Sequence, residues 1–369
     1  MNQTYHRVEV ENAKSVYESY DTLDFYIHSE GRALKRNSVR IEFQLGLTKD
    51  VAGTATRVVQ TDEIFIDHRI GGHSVFDSFT TEFQNQGIGE NLLNYPKMVC
   101  MKNVAQKDEN DYHSIKALVE LRCPSANQAR SLAVGVLPTQ SGAGAGDLKD
   151  IDISIKPDVC LNNMDSNLSF GKTGWIKLST NLSRVLQVIY GRDVNTLNKY
   201  NIHNVKLRYT SIPDVNNNVN LSTTINLKSS INSAFSNTAS KVPAVCNSVS
   251  CVFLPQSSEN SARDNNNELA TLPSIDELSF NFSDSTSKFI SYIIKDKDEM
   301  KQRFIESLGA TGHNQLNSNH NPENFGIGLK FPPTDLSQQK FNIQIKSSQN
   351  NISTNPVIIQ MFFHSVLAL

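Results

Sequence analysis

Two short stretches come closest to a chemical motif. Gly171-Lys172-Thr173 matches the end of a phosphate-binding loop. Such a loop needs a glycine five positions before Gly171, to turn the backbone and present its amides to phosphate. Ser166 stands there, and the following WIKLS reads as a strand where the loop requires a helix. Gly72-His73-Ser74-Val75-Phe76 approaches a nucleophile elbow, whose last glycine permits the sharp strand-to-helix turn. Phe76 occupies that position, and DSFTTEFQ continues as a strand. Asp67, His68 and His73 could offer metal ligands. The spacing of His68 and His73 matches neither the helical i,i+4 pairing nor the i,i+2 pairing of a strand. His313 and His320 fall in an asparagine-rich loop.

Acid pairs for glycoside hydrolysis have no distinguishing spacing here, and a single Trp175 is a poor start for a carbohydrate platform. Arg32, Lys35, Arg36 and Arg40 form a small basic cluster that reads as a solvated face. The five cysteines (Cys100, Cys123, Cys160, Cys246 and Cys251) lack zinc or redox spacing. Cys246 and Cys251, in the apolar stretch VPAVCNSVSCVFLP, read as buried free thiols, and a reducing compartment of folding fits best. The expectation is therefore a non-enzymatic protein with no catalytic, cofactor-binding or metal-binding residue and no cofactor. Gly71 and Gly72 stand out for a structural reason, as a bend before the strand of Val75–Phe83.

Composition narrows the classes. The chain has 369 residues, a formal net charge of -2, 20% charged and 38% hydrophobic residues. Asn and Ser number roughly forty each, well above ordinary usage. Near-zero charge without a basic block argues against a dedicated nucleic-acid binder. No apolar run is long enough for a transmembrane helix, and no secretion signal is visible at Met1–Lys14.

The elements that would position any site are mostly short strands. In SVRIEFQLGLT, Val39, Ile41, Phe43, Leu45 and Leu47 alternate with polar residues, the cleanest period-2 segment. Strand patterns recur in DTLDFYIHS, EIFID, HSVFDSFTTEFQ, NYPKMVCM, HSIKALVELRCP, IDISIKPDVCL, GWIKLSTNL, IHNVKLRYTSIPD, AVCNSVSCVFLP, IDELSFNFSDS, KFISYIIK, IGLKF, KFNIQIKSS and PVIIQMFFHSVLAL. Helical spacing marks residues 9–20 and 182–191. It is clearest after Asp296, where Glu299 sits in capping-box position and Met300, Phe304 and Leu308 form one stripe. Residues 139–150, 214–240 and the SENSARDNNNELA segment read as polar and weakly patterned. The expected core includes Ile41, Phe43, Leu45, Phe79, Val119, Leu121, Leu186, Leu207, Phe304 and Ile358.

Strands in runs, not alternating with helices, predict an all-β protein. A strand-then-helix unit near residues 174–191 is echoed near 287–309. The length suits two β-sandwiches in tandem.

Four stretches together resemble the double jelly-roll major capsid proteins of tailless icosahedral DNA viruses, a lineage of virophages, polinton-like viruses, tailless phages and adenovirus-like hexons. They are IDHRIGGHSVFDSFTTEFQNQGIGENLLNYPKM (66–98), GWIKLSTNLSRVLQVIYG (174–191), IHNVKLRYTSIPD (202–214) and residues 325–369. The resemblance implies two tandem eight-stranded jelly-roll β-sandwiches with a few short helices. It implies an N-terminal arm or short helix at 1–20, a first jelly roll at 21–200 and a second at 201–369. The function implied is a structural protein of the virion. A homotrimer would form a pseudo-hexagonal capsomer that tiles an icosahedral shell, after synthesis in the host cytoplasm or nucleus. Implied partners are neighbouring capsomers, penton and minor capsid proteins, and in some members an internal membrane, without specific nucleic acid. The alternatives are a penton or minor capsid protein at the five-fold vertices and a β-sandwich carbohydrate-binding module.

Overall fold

The computed structural model describes residues 2–58, 64–106, 119–122, 150–191, 194, 199–214, 217–231, 235–242, 244–255, 260–267, 275–283, 289–309, 326–346 and 357–369. The first half lays down β1 (Thr4–Glu9), β2 (Tyr17–Glu18), β3 (Thr22–Ile27), β4 (Arg32–Leu34), β5 (Arg40–Val51), β6 (Thr54–Arg57) and β7 (Phe65–Ile66). After a 3-10 turn at Gly71–Val75 come β8 (Phe76–Phe83), β9 (Gly87–Leu92) and helix α1 (Tyr95–Gln106). Then follow β10 (Ile151–Ile155), β11 (Leu168–Ser169), the single turn α2 (Phe170–Thr173), β12 (Ile176–Leu182), the single turn α3 (Val185–Val188), β13 (Ile189–Tyr190) and β14 (Lys199–Pro213).

The second half carries β15 (Asn220–Ile231), β16 (Phe235–Ser240), β17 (Val245–Pro255), β18 (Glu277–Ser283), β19 (Phe289–Ile294), helix α4 (Lys297–Gly309), β20 (Ile327–Asp335), β21 (Lys340–Lys346) and β22 (Val357–Ala368). Its sheets run β15-β22-β17-β20 and β16-β21-β18-β19. Numbered within the half, these are strands 1-8-3-6 facing strands 2-7-4-5, two interlocked Greek keys that make a jelly roll.

The first half repeats the permutation. One sheet is β3-β12-β8-β9. In the other, long β14 is flanked on one side by β1 and β2 and on the other by β4 and β5, which in turn pair β11 and β10. Three strand positions are thus filled by collinear broken pieces, and β14 plays the part that β22 plays in the second half.

Burial explains the period-2 signal. In β5, Ile41, Phe43 and Leu45 are buried between the sheets while Arg40, Glu42 and Gln44 face outward. In β17 and β22 the alternation is lost because both faces are covered. Cys251, Phe253, Ile359, Met361 and Phe363 enter the second core. Val252, Leu254, Ile358 and Phe362 pack with the first sandwich. A strand buried on both faces reads as a continuous apolar run. Helix α4 forms where capping predicts it. The Asp296 carboxylate accepts the Glu299 N–H at 2.9 Å, and Met300, Phe304 and Leu308 are buried.

The structure corrects several expectations. Residues 1–20 hold strands β1 and β2 in place of an arm or helix, because the edge of β14 offers Thr4–Glu9 a complete ladder. A boundary at 200/201 would fall inside β14, which pairs with first-half strands up to Pro213. The change of sandwich lies between Pro213 and Asn220. NYPKMVCM begins α1 and is not a strand. Pro96 in its first turn lacks only an N–H that a helix start leaves free, and Tyr95, Met98, Val99 and Cys100 are all buried. Helical spacing at 182–191 yields only the turn α3 before β13. Residues 214–240 contain β15 and β16. Val119 is helical and 37% exposed, and Leu186 is half-buried, whereas the other expected core residues are buried. Cys123, His313, His320 and the segment 139–149 lie outside the described residues. No helix among the described residues is long and apolar enough to cross a membrane.

Candidate functional site: the junction of the two sandwiches

Most of the described residues with chemical motifs are engaged structurally, whereas His68 Nδ1 is buried without a hydrogen-bond partner. Lys172 of the GKT triplet donates to the Asn217 carbonyl and Asn218 Oδ1, both at 2.9 Å. The triplet sits in a single helical turn ended by Gly174 at φ +68°, with no anion-binding helix behind it. Ser74 is buried and its Oγ donates to the Gly71 carbonyl at 2.8 Å. His73 Nδ1 meets the Tyr95 hydroxyl at 2.6 Å, and its Nε2 lies 3.6 Å from Glu120. Asp67 binds Arg69 and receives Asn265 Nδ2 at 2.6 Å. Burial acts to raise the Asp67 carboxyl, but Arg69, His68 and these hydrogen bonds outweigh it and hold the group well below the usual carboxylate range. Among the described residues, no group of three or more His, Cys, Asp or Glu could hold a metal ion.

The basic cluster lies on a partly exposed face, with Arg36 exposed, and its side chains also act as clamps. Arg32 binds Ser211 on β14, Arg36 the Asp165 carbonyl, and Arg40 Ser154 on β10. Cys100, Cys160, Cys246 and Cys251 are buried free thiols.

What the structure does concentrate is polar chemistry at the line where the sandwiches meet. Glu90, buried on β9, accepts the Cys160 N–H at 2.7 Å from its own half and the Thr224 N–H at 3.0 Å from β15. Burial is the dominant effect on Glu90 and exceeds those two hydrogen bonds, so its pKa is pushed up to about 7. Asn94 Nδ2 donates to Asn226 Oδ1 on β15 at 2.9 Å. Behind Thr224 lies His364 of β22, which also contacts Ser250 at 3.1 Å. Burial, then the Lys102 charge, lowers His364 to about 3, so it is neutral at ordinary pH. Lys102 itself pairs with Asp158 at 2.8 Å.

A second contact comes from the loop after β17. Asn265 reaches Asp67, Asn266 Nδ2 donates to the Leu186 carbonyl at 2.7 Å, and Asn267 Nδ2 to the Gln187 carbonyl at 2.8 Å. These three asparagines are buried although the composition of SENSARDNNNELA reads as a solvated loop. Asparagine can donate and accept at once, so it satisfies backbone groups that a loop leaves open. The sequence offered one signal, the Asn-Asn-Asn run itself.

The junction ties the two sandwiches together, while Asn266 Oδ1, Asn267 Oδ1 and Gln360 Oε1 are buried there without a hydrogen-bond partner. Outside it, apolar side chains are exposed on β19, where Ile290 is 57% and Ile293 58% exposed, and on β1, where Tyr5 is 81% exposed.

No family model matches the sequence, and no curated protein does. Solved structures do. The Faustovirus major capsid protein aligns over 100% of this chain and 90% of its own, at TM-score 0.60 and 8% identity. A chain of the Sputnik virophage structure aligns over 100% and 88%, at TM-score 0.57 and 9% identity. The mavirus major capsid protein aligns over 99% and 90%, at TM-score 0.51 and 10% identity. The likeness spans both sandwiches, and the chain has the double jelly-roll fold.

Proposed function

We propose that this protein is a structural capsid subunit, three copies of which form a pseudo-hexagonal capsomer of an icosahedral virion. The observation that carries this reading is the repeated strand permutation. One chain holds two jelly rolls locked side by side, and the same fold spans nearly the whole of the Faustovirus and mavirus major capsid proteins. A unit made of two similar halves can repeat its internal step between copies. Unlike faces then meet head to tail, and such a ring closes when the rotation permits. Three chains give six sandwiches and a near-hexagonal tile. Neighbouring capsomers are the partners this assigns, and its place is the virion shell.

The buried polar junction supports a role in shape. Its hydrogen bonds, from Glu90, Asn94 and the loop at Asn265–Asn267, tie one sandwich to the other. The test is the mass of the purified protein by light scattering, with negative-stain images of the same fraction. Trimers of about 120 kDa (three times the 41.1 kDa chain) with hexagonal outlines are the expected result. Pentamers, or a monomer that persists at high concentration, would overturn the reading.

A further inference from the structure

Lys97 stands in the first turn of α1 and is only 7% exposed. Among the described residues its ammonium has neither a hydrogen bond nor an ion pair. The other buried basic side chains are held, Lys102 by Asp158 and Arg122 by Glu120. The titratable and charged groups around Lys97 are Cys100 on the same helix, Asp67 and Arg69 before the Gly71 turn, and Arg184 at the start of α3. His68 lies beside Asp67 and Arg69, and Asp77 near Arg184.

The acids in this cluster are already engaged. Asp67 is 3.1 Å from Arg69 and also takes Asn265, while burial holds Asp77 above the usual carboxylate range. Lys97, Arg69 and Arg184 therefore outnumber the carboxylates beside them. A buried charge without a counter-ion is costly, and the cost is relieved by losing the proton or by gaining a partner. Burial lowers Lys97 to about 7, with Cys100 and Asp67 opposing and Arg184 and Arg69 adding to the fall. The amine is thus poised to take up a proton when a negative charge arrives.

We propose that Lys97, Arg69 and Arg184 form a binding site for one small free oxyanion of the phosphate or sulfate class. Guanidinium groups present paired N–H donors to such oxygens, and a lysine ammonium supplies a point charge. Lys97 at 7% and the Arg69 side chain at 13% exposure leave no room for the remainder of a nucleotide or a lipid headgroup, so the ligand is the free ion. The place is where the second half reaches the first. Asn260 accepts from Arg184 at 2.8 Å, and Asn265 donates to Asp67 at 2.6 Å. The site is independent of the capsomer reading.

The test is the Tm of the full-length protein in millimolar sodium sulfate, against sodium chloride at matched ionic strength. An ion that binds the folded chain raises Tm with its concentration. Sulfate should raise Tm above chloride at about pH 6 and less at about pH 8.5, because it keeps its charge while Lys97 loses its proton. Phosphate should act likewise, and adenosine monophosphate should not. Sulfate also stabilises folded proteins by exclusion from their surface. The decisive comparison is therefore Lys97→Met, which keeps an unbranched apolar stem and should lose the extra response to sulfate. Independently of any variant, calorimetric titration of sulfate into the unaltered protein near pH 7, in two buffers of different ionisation enthalpy, should show uptake of roughly half a proton per ion. No sulfate effect beyond chloride, an equal effect in Lys97→Met, or binding without proton uptake overturns the site. An equal effect of adenosine monophosphate overturns its assignment to a free ion.

Discussion

The side chain of Glu90 on β9 accepts the backbone N–H of Thr224 on β15 at 3.0 Å, across the line where one jelly roll meets the next. Its other oxygen holds the Cys160 N–H at 2.7 Å. One carboxyl thus satisfies a backbone donor from each half, and both donors are buried. A buried donor without a partner costs about 1–3 kcal/mol, so this single residue controls two such penalties. Glu90→Ala should lower stability by about 2–5 kcal/mol, read as a drop in denaturation midpoint. A loss below about 1 kcal/mol would mean that solvent replaces the carboxyl there.

The same residue makes stability depend on pH. Burial pushes its pKa from 4.5 to about 7 in the folded chain. An acid whose pKa is raised by folding holds its proton more tightly in the folded state. The stability it contributes is full below about pH 4.5 and is lost as pH rises through about 7. At about 1.4 kcal/mol per unit, the loss is on the order of 3 kcal/mol. Glu90→Gln removes this titration. The Tm of the unaltered protein relative to the glutamine variant should fall between pH 4.5 and 7 and stay level above. A difference that is constant with pH would show that the carboxyl ionises normally.

Gly71 tests the bend that precedes β8. It has φ +51°, and a methyl group on it would overlap the Glu120 carbonyl oxygen. Gly72 is nearly as crowded, its Cβ position lying 2.6 Å from Ile153 Cγ2. Gly71→Ala and Gly72→Val should each cost several kcal/mol, or prevent soluble expression. Gly53, at φ +85° in open space, is the control: Gly53→Ala carries only the left-handed backbone cost of about 1 kcal/mol. Equal losses at all three sites would remove the crowding argument.

How far the fold could be read from the residues depended on what lies on each face of a strand. Ile41, Phe43 and Leu45 alternate with Arg40, Glu42 and Gln44 because one face of β5 is core and the other polar surface, so the strand was legible. Strand β15 was not. Its Thr224 and Asn226 are buried against Glu90 and Asn94, so polar residues occupy a covered face and the hydrophobic alternation is lost. The N-terminal β1 failed for a different reason. Its ladder partner, Lys206–Ser211, is about 200 residues away in sequence, and local spacing carries no trace of it. The junction was illegible as a site because its members come from β9, β15, β22 and the loop at Asn265, and none has a fixed spacing from another. Gly71 and Gly72 were legible because a bend leaves a local mark.

The asparagine loop gives a separate handle on the junction. Asn265 Nδ2 is 2.6 Å from Asp67 Oδ2, and Asp67 is a buried carboxylate also held by Arg69. Asn265→Ala should cost about 1–3 kcal/mol, since it takes a donor from a buried charge. Asn265→Asp should cost more, because it sets a second carboxylate against the first. The order unaltered, alanine, aspartate in Tm is the expected outcome. An aspartate variant as stable as the alanine one would mean that the two side chains do not touch.

Phe362 and Phe363 are neighbours in β22, both fully buried, and their rings enter different bodies. Phe363 packs in the second core, 5.2 Å edge-on from Phe341. Phe362 points the other way and joins the cluster of the first sandwich. Truncating either to alanine removes a similar apolar volume and should cost about 3–5 kcal/mol. The consequences should differ in kind. Phe363→Ala loosens the second sandwich from within, so limited proteolysis should degrade residues after 220 and spare the first half. Phe362→Ala weakens the face between sandwiches while each core stays packed. Proteolysis should then cut between Pro213 and Asn220 and leave two resistant fragments. If both variants give the same fragments, the two sandwiches share one cooperative core, and the division of β22 into two faces has no energetic counterpart.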